Sequence, residues 1–182
     1  MVLNPIDTID FLQSIMNQEW KQEIESAWER FMDWGYVNKY LREDLTHYLR
    51  HTKAGQEFLD AIWNMSKTAF DCDREVQVVI DRNNKLFITF GTGSLVWFHD
   101  NEELTGMRMP IKCWIHTHPF GKAYFSGTDW NTINTYEPIM DSAIVLGGVE
   151  RMTWIKGKTD THFEIFVPIN KGPATLGFWE EE

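Results

Sequence analysis

The spacing of apolar positions divides the chain into a helical first third and a strand-rich remainder. Trp20, Ile24, Ala27, Phe31 and Trp34 recur three and four residues apart, which gathers them on one helix face, and Gly35 is read as closing the run. A second segment sets Tyr40, Leu41, Leu45, Tyr48 and Leu49 on one face, with Gly55 as the break. A third helix is expected over 56–70, with Phe58, Leu59, Ile62, Trp63, Ser66, Ala69 and Phe70 inward. After Asp71 the period changes. Residues 75–81 (EVQVVID) and 85–90 (KLFITF) are β-rich and flank Arg82-Asn83-Asn84, which predicts a tight hairpin. Further strands are expected at 94–99, 111–117, 142–147, 151–156 and 162–167, with a helix over 127–137 ended by Pro138. The tail from Gly172 reads as loosely held.

This order predicts an α+β fold, one mixed β-sheet flanked by helices. The expected division is a helical extension at 1–52, a catalytic-sized α/β domain at 53–170 and a tail at 171–182. With 182 residues, 43% of them hydrophobic, nine Trp and twelve Phe, the chain can fill a sizeable core, which argues against disorder. Seventeen basic against twenty-seven acidic side chains give a net charge of −10. No two Lys or Arg are adjacent, so no basic patch is found and no nucleic-acid partner is expected. No stretch reaches the roughly 18 apolar residues of a membrane span, so no membrane partner is expected either. The start, MVLNPIDTID, lacks a basic opening and an apolar core, and Cys72 and Cys113 make no disulfide framework. The expected compartment is the cytoplasm.

The chemistry is concentrated in His116-Thr117-His118-Pro119 and, after six intervening residues, Ser126-Gly127-Thr128-Asp129. Residues two apart on a strand share a face, so His116 and His118 can present their imidazoles side by side. Asp129 falls in the first turn of the next helix, where its carboxylate can swing back toward the strand end. Two imidazoles and a carboxylate form a three-ligand set for Zn²⁺ with a fourth position left to water, the arrangement of a catalytic zinc. Ser126 is also suited to cap that helix, and the two roles are compatible.

The segment HTHPFGKAYFSGTD fits the JAMM signature, H-x-H then seven residues then S-x-x-D, without a gap. It resembles the JAMM (MPN+) zinc isopeptidases. The wider stretch CWIHTHPFGKAYFSGTDWNTINTYE is similar to the matching part of AMSH-type and proteasome-lid deubiquitinases. The resemblance covers roughly residues 54–167. It implies a cytidine-deaminase-like MPN fold, a single catalytic Zn²⁺ held by His116, His118 and Asp129, and hydrolysis of amide bonds after the C-terminal tail of ubiquitin or a ubiquitin-like modifier. The family places a glutamate at the start of the first strand after its first helix, and Glu75 occupies that place as general base. Here the family's E-x-x-G-x-L reads E-V-Q-V-V-I, without the glycine. Glu57 is the rival, although its place in an amphipathic helix suits a solvated carboxylate. Ser126 is implied as a stabiliser of the oxyanion.

The family's ubiquitin-gripping insertions read short here, because only residues 99–108 separate the third strand from the one leading to the histidines. That favours a compact enzyme, or one that borrows contacts from residues 1–52, whose own role (partner binding, dimerisation or core cover) stays open. Two other readings stand beside the isopeptidase: a non-catalytic scaffold of the same fold, and a hydrolase of an unrelated peptide or sulfur-carrier substrate. Cys113, three residues before His116, is expected on the opposite strand face as a core residue. His47 and His51 lack the glutamate of H-E-x-x-H, and Gly91-Thr92-Gly93 lacks the third glycine of a dinucleotide loop.

Overall fold

A computed structural model describes residues 5–38, 44–68, 74–91 and 106–166 of the chain. The strand expected at 94–99, Tyr40, Leu41, Ala69, Phe70, Cys72, the tail from Gly172 and the side chain of Trp20 lie outside the described residues. Three helices lead: α1 (Pro5–Asn38), α2 (Leu45–His51) and α3 (Lys53–Thr68). The hairpin β1 (Glu75–Ile80) and β2 (Leu86–Gly91) follows. Then come β3 (Cys113–Thr117), α4 (Gly127–Tyr136), β4 (Ser142–Gly147), β5 (Glu150–Ile155) and β6 (His162–Ile165).

The six strands form one mixed sheet in the order β2-β1-β3-β4-β5-β6. Only β3 and β4 run parallel, joined by a crossover through α4, while every other neighbour is antiparallel. Strand alternation sends the apolar side chains to two separate cores. Val76, Val78, Ile80, Cys113, Ile115, Ile144 and Leu146 face a core shared with Phe31 of α1, Leu49 of α2, and Phe58 and Ile62 of α3. Val79, Trp114, Ala143 and Val145 face the other way, against Ile133 of α4 and Ala123 and Phe125 of the loop before it. Helices α1–α3 therefore cover one face of the sheet, and α4 with its leading loop covers the other.

Several boundaries differ from the sequence expectation, each for a physical reason. Helix α1 runs through Gly35 to Asn38. Gly55 does not break a helix but lies within α3, and the break falls at Thr52, which ends α2 in extended backbone. A Cβ at Gly55 would stand 2.4 Å from the Leu49 carbonyl oxygen and 2.6 Å from Leu49 Cα, so glycine is there to let the α2 backbone approach. Regular pairing of β3 begins at Cys113, with Ile111 making only an isolated bridge to Met140. Helix α4 ends at Tyr136, and Pro138 sits inside a following 3₁₀ turn, Glu137–Ile139. Strand β6 stops at Ile165, short of the expected 167.

Candidate metal centre

The site is built at the end of β3 from which the chain crosses to α4. His116 shares its face with Trp114, whose ring stacks against it with centroids 4.3 Å apart and planes 15° apart. His118 lies one residue past the strand, but its N–H still donates to the Leu146 carbonyl at 2.8 Å, which keeps its backbone in register with β4. The two rings consequently lie on one face, 5.2 Å apart between centroids. Thr117, between them, points to the opposite face, where its Oγ1 accepts the Val76 N–H at 2.9 Å and ties the start of β1 to the end of β3.

The carboxylate arrives through a helix cap. Ser126 is the N-cap of α4: its Oγ accepts the Asp129 N–H at 3.1 Å, and its own N–H donates to Asp129 Oδ2 at 2.8 Å. This reciprocal pair folds the Asp129 side chain back toward β3. Oδ2 then stands 3.1 Å from His116 Nε2 and 3.3 Å from His118 Nε2. The three ligand atoms lie within 4.8 Å of one another, and all three residues are buried. Ligands at the zinc bond lengths of about 2.0–2.1 Å sit about 3.3 Å apart at the corners of a tetrahedron. The two imidazole-to-carboxylate spacings match that edge, and the buried triad is close enough to hold a metal ion.

The donors are also in the state a metal needs. Neither ring nitrogen of His116 makes a hydrogen bond among the described residues, because the approach to Asp129 is close without being aligned. An imidazole that is 2% exposed with no partner is a donor set awaiting an acceptor. Burial lowers the His116 pKa, against the pull of Asp129, which favours the neutral ring. Burial also opposes ionisation of Asp129, but the two imidazoles and the Ser126 N–H outweigh it and hold its carboxyl well below the usual carboxylate range. His118 Nδ1 lies 3.2 Å from the Lys122 carbonyl oxygen. A carbonyl can only accept, so Nδ1 carries a proton and Nε2 is the nitrogen turned toward Asp129, the one a metal would take.

Glu75 opens β1. Because β1 runs antiparallel to β3 with Gln77 opposite His116, Glu75 is carried to the level of His118. It shares the alternation of Gln77 and therefore the metal-facing side. Burial raises its pKa; the charge of His118 lowers it and that of Asp129 raises it again, so two of the three triad members act on Glu75. Glu57 is exposed on α3, which packs on the opposite face of the sheet. Cys113 is fully buried in that opposite core. Ser126 keeps its O–H proton, since in the cap its oxygen only accepts, and a hydroxyl carries a donor as well.

Three aromatic residues about the site were not singled out from the sequence. Trp114 backs His116, and its place two residues earlier on the strand was the available signal. Phe120 stacks on His118 at 5.1 Å and Tyr124 meets it edge-on at 5.0 Å, yet they are 61% and 47% exposed, forming an open aromatic rim beside a buried triad. No helix among the described residues is long and apolar enough to cross a membrane. No protein-family model, curated protein or solved structure matches the chain.

Proposed function

We propose that this chain is a zinc-dependent isopeptidase or peptidase of the JAMM type, acting on the amide bond after the C-terminal tail of ubiquitin or a ubiquitin-like modifier. The observation that carries the reading is the convergence of His116 Nε2, His118 Nε2 and Asp129 Oδ2 within 4.8 Å, with Glu75 brought level with His118 by the β1–β3 register. His116, His118 and Asp129 would hold the ion, and zinc there supplies Lewis acidity toward an amide carbonyl and toward water. Glu75 takes a proton from the attacking water and delivers it to the departing amine. Its half-buried position, which favours the protonated form more than solvent does, suits a group that must both accept and return a proton. Ser126 donates its hydroxyl hydrogen toward the oxygen on which negative charge develops. The exposed rings of Phe120 and Tyr124 offer apolar area to the chain flanking the scissile bond.

The test is turnover by purified protein loaded with one equivalent of zinc, on a panel of ubiquitin and ubiquitin-like fusions, with and without a chelator. Cleavage at the modifier's C-terminus, lost with chelator and restored by zinc, is expected. Bound zinc with no cleavage of any fusion would remove the isopeptidase assignment.

A further inference from the structure

Glu150 opens β5, and its register partners are Gly147 on β4 and Ile165 on β6. Its Oε2 accepts the Ala123 N–H at 3.0 Å. The carbonyl of the preceding residue, Lys122, is the group that accepts from His118 Nδ1 at 3.2 Å. The Lys122 C=O and the Ala123 N–H belong to a single peptide unit, so one rigid planar group has a carboxylate at one end and a triad imidazole at the other. Gly147 lies directly beneath that unit. A Cβ there would stand 2.5 Å from the Lys122 carbonyl carbon and 2.6 Å from the Ala123 nitrogen. The hairpin β4–β5 thus provides both the clearance for the peptide and the anion that anchors it.

We infer that Glu150 is a positioning residue for His118, acting through the Lys122–Ala123 peptide; the inference rests on the metal-centre reading above. A carboxylate accepting from a peptide N–H makes a charge-assisted bond and polarises the amide, which strengthens its carbonyl as an acceptor. The strengthened carbonyl holds the proton on His118 Nδ1 and fixes the ring plane. Nε2 is thereby the nitrogen turned into the site, 3.3 Å from Asp129 Oδ2. Metal-binding histidines are commonly oriented by a carboxylate or by a carbonyl. Here the two are connected in series, and the carboxylate is 32 positions beyond the histidine in the chain.

The experiment compares wild type, Glu150→Gln and Glu150→Ala. The first readout is the His118 tautomer, from imidazole ¹⁵N resonances of the metal-free protein, which requires neither zinc nor turnover. The second is zinc affinity by chelator competition. Wild type should carry the His118 proton on Nδ1. Glu150→Ala should mix the tautomers and weaken zinc about 10–100-fold. Glu150→Gln keeps an acceptor without the charge, so it should fall between the two and remain informative if the alanine variant fails to fold. A wild-type His118 with no proton on Nδ1 would overturn the inference, as would substitutions that leave tautomer and affinity unchanged. Failure of every protein, wild type included, to bind zinc would instead count against the proposed function, and the wild-type tautomer would still decide this inference.

Discussion

Replacing His116 by leucine should separate what the imidazole does for metal from what it does for the fold. In the metal-free protein the buried ring leaves at least Nδ1 without a partner, a liability of about 1–3 kcal/mol. Its compensation is the stack on Trp114, worth about 0.5–1.5 kcal/mol beyond ordinary burial. His116→Leu removes both. It also removes one of the two imidazoles that hold the buried Asp129 carboxylate ionised, so the gain and the losses nearly cancel and the metal-free variant should be about as stable as wild type. Zinc reverses the comparison. At a free concentration 1,000 times its Kd, a ligand specific to the folded state adds about 4.1 kcal/mol. For a domain of this size each kcal/mol moves Tm by about 2–4 °C, so wild type should gain about 8–16 °C. The variant should gain little, having lost one of three ligands. The assay is thermal unfolding followed by circular dichroism, in chelator and across a zinc titration. A leucine variant that melts many degrees below wild type in chelator would show that the imidazole's support of Asp129 outweighs the cost of its orphaned nitrogen. One that keeps the full zinc-dependent rise would remove His116 from the ligand set.

Glu75→Gln should retain zinc by metal analysis and lose about 10²–10⁴-fold in turnover, the range of general-base catalysis; an active glutamine variant rejects Glu75 as the base. Burial raises the Glu75 pKa and the base must be ionised, so kcat/KM should rise with pH through a midpoint above the ordinary glutamate value. Ser126→Ala removes the N-cap acceptor, about 1 kcal/mol measured by urea unfolding, and lowers kcat about 10²–10³-fold; a loss of stability alone would leave Ser126 as a cap only. Burial pushes the Cys113 thiol up to about 12 from an ordinary value of 9.0. Between those values the unfolded chain sheds a proton that the folded chain keeps, so stability should fall as pH rises; the urea midpoint of Cys113→Ala should depend less steeply on pH there, and equal slopes would refute the assignment. Gly55→Ala would ordinarily gain about 1 kcal/mol in a helix, but its Cβ would meet the α2 backbone at 2.4–2.6 Å. Overpacking at about 1–3 kcal/mol should win, giving a lower Tm; a higher one would show that the α2–α3 corner yields.

The triad was legible because its rules are local. A period of two puts His116 and His118 on one face, and Ser-x-x-Asp is a helix-cap pattern whose reciprocal hydrogen bonds turn Asp129 back toward the strand. The β1–β2 hairpin was legible for the same reason, and Asn84 takes the positive φ of 63° that such a turn asks for. What escaped was set by contacts distant in sequence. Gly55 reads locally as a terminator because a glycine inside a helix is unfavourable, and the packing of α2 against α3 explains its place there. The Lys122–Ala123 peptide needs Gly147 beneath it and Glu150 beside it, and nothing in residues 116–129 announces either. The exposed rings of Phe120 and Tyr124 are loop aromatics whose contact with His118, at 5.1 and 5.0 Å, is set by the folded loop.

The placement of the site follows from the sheet being mixed. A parallel β3–β4 pair requires a crossover, and the crossover leaves from the end of β3, so the chain itself delivers a loop and a helix N-terminus to that end. This delivers Asp129 and Ser126. An antiparallel neighbour on the other side of β3 begins where β3 finishes, and this delivers Glu75. A fully parallel sheet would put the first residue of β1 at the far end of β3, and a fully antiparallel one would need no crossover helix. The three helices of the first third take the opposite face, where they bury Cys113 and Ile115. Strand β3 is thereby fixed from behind, and the histidines alternate out of it into a face that, among the described residues, α4 and its loop cover.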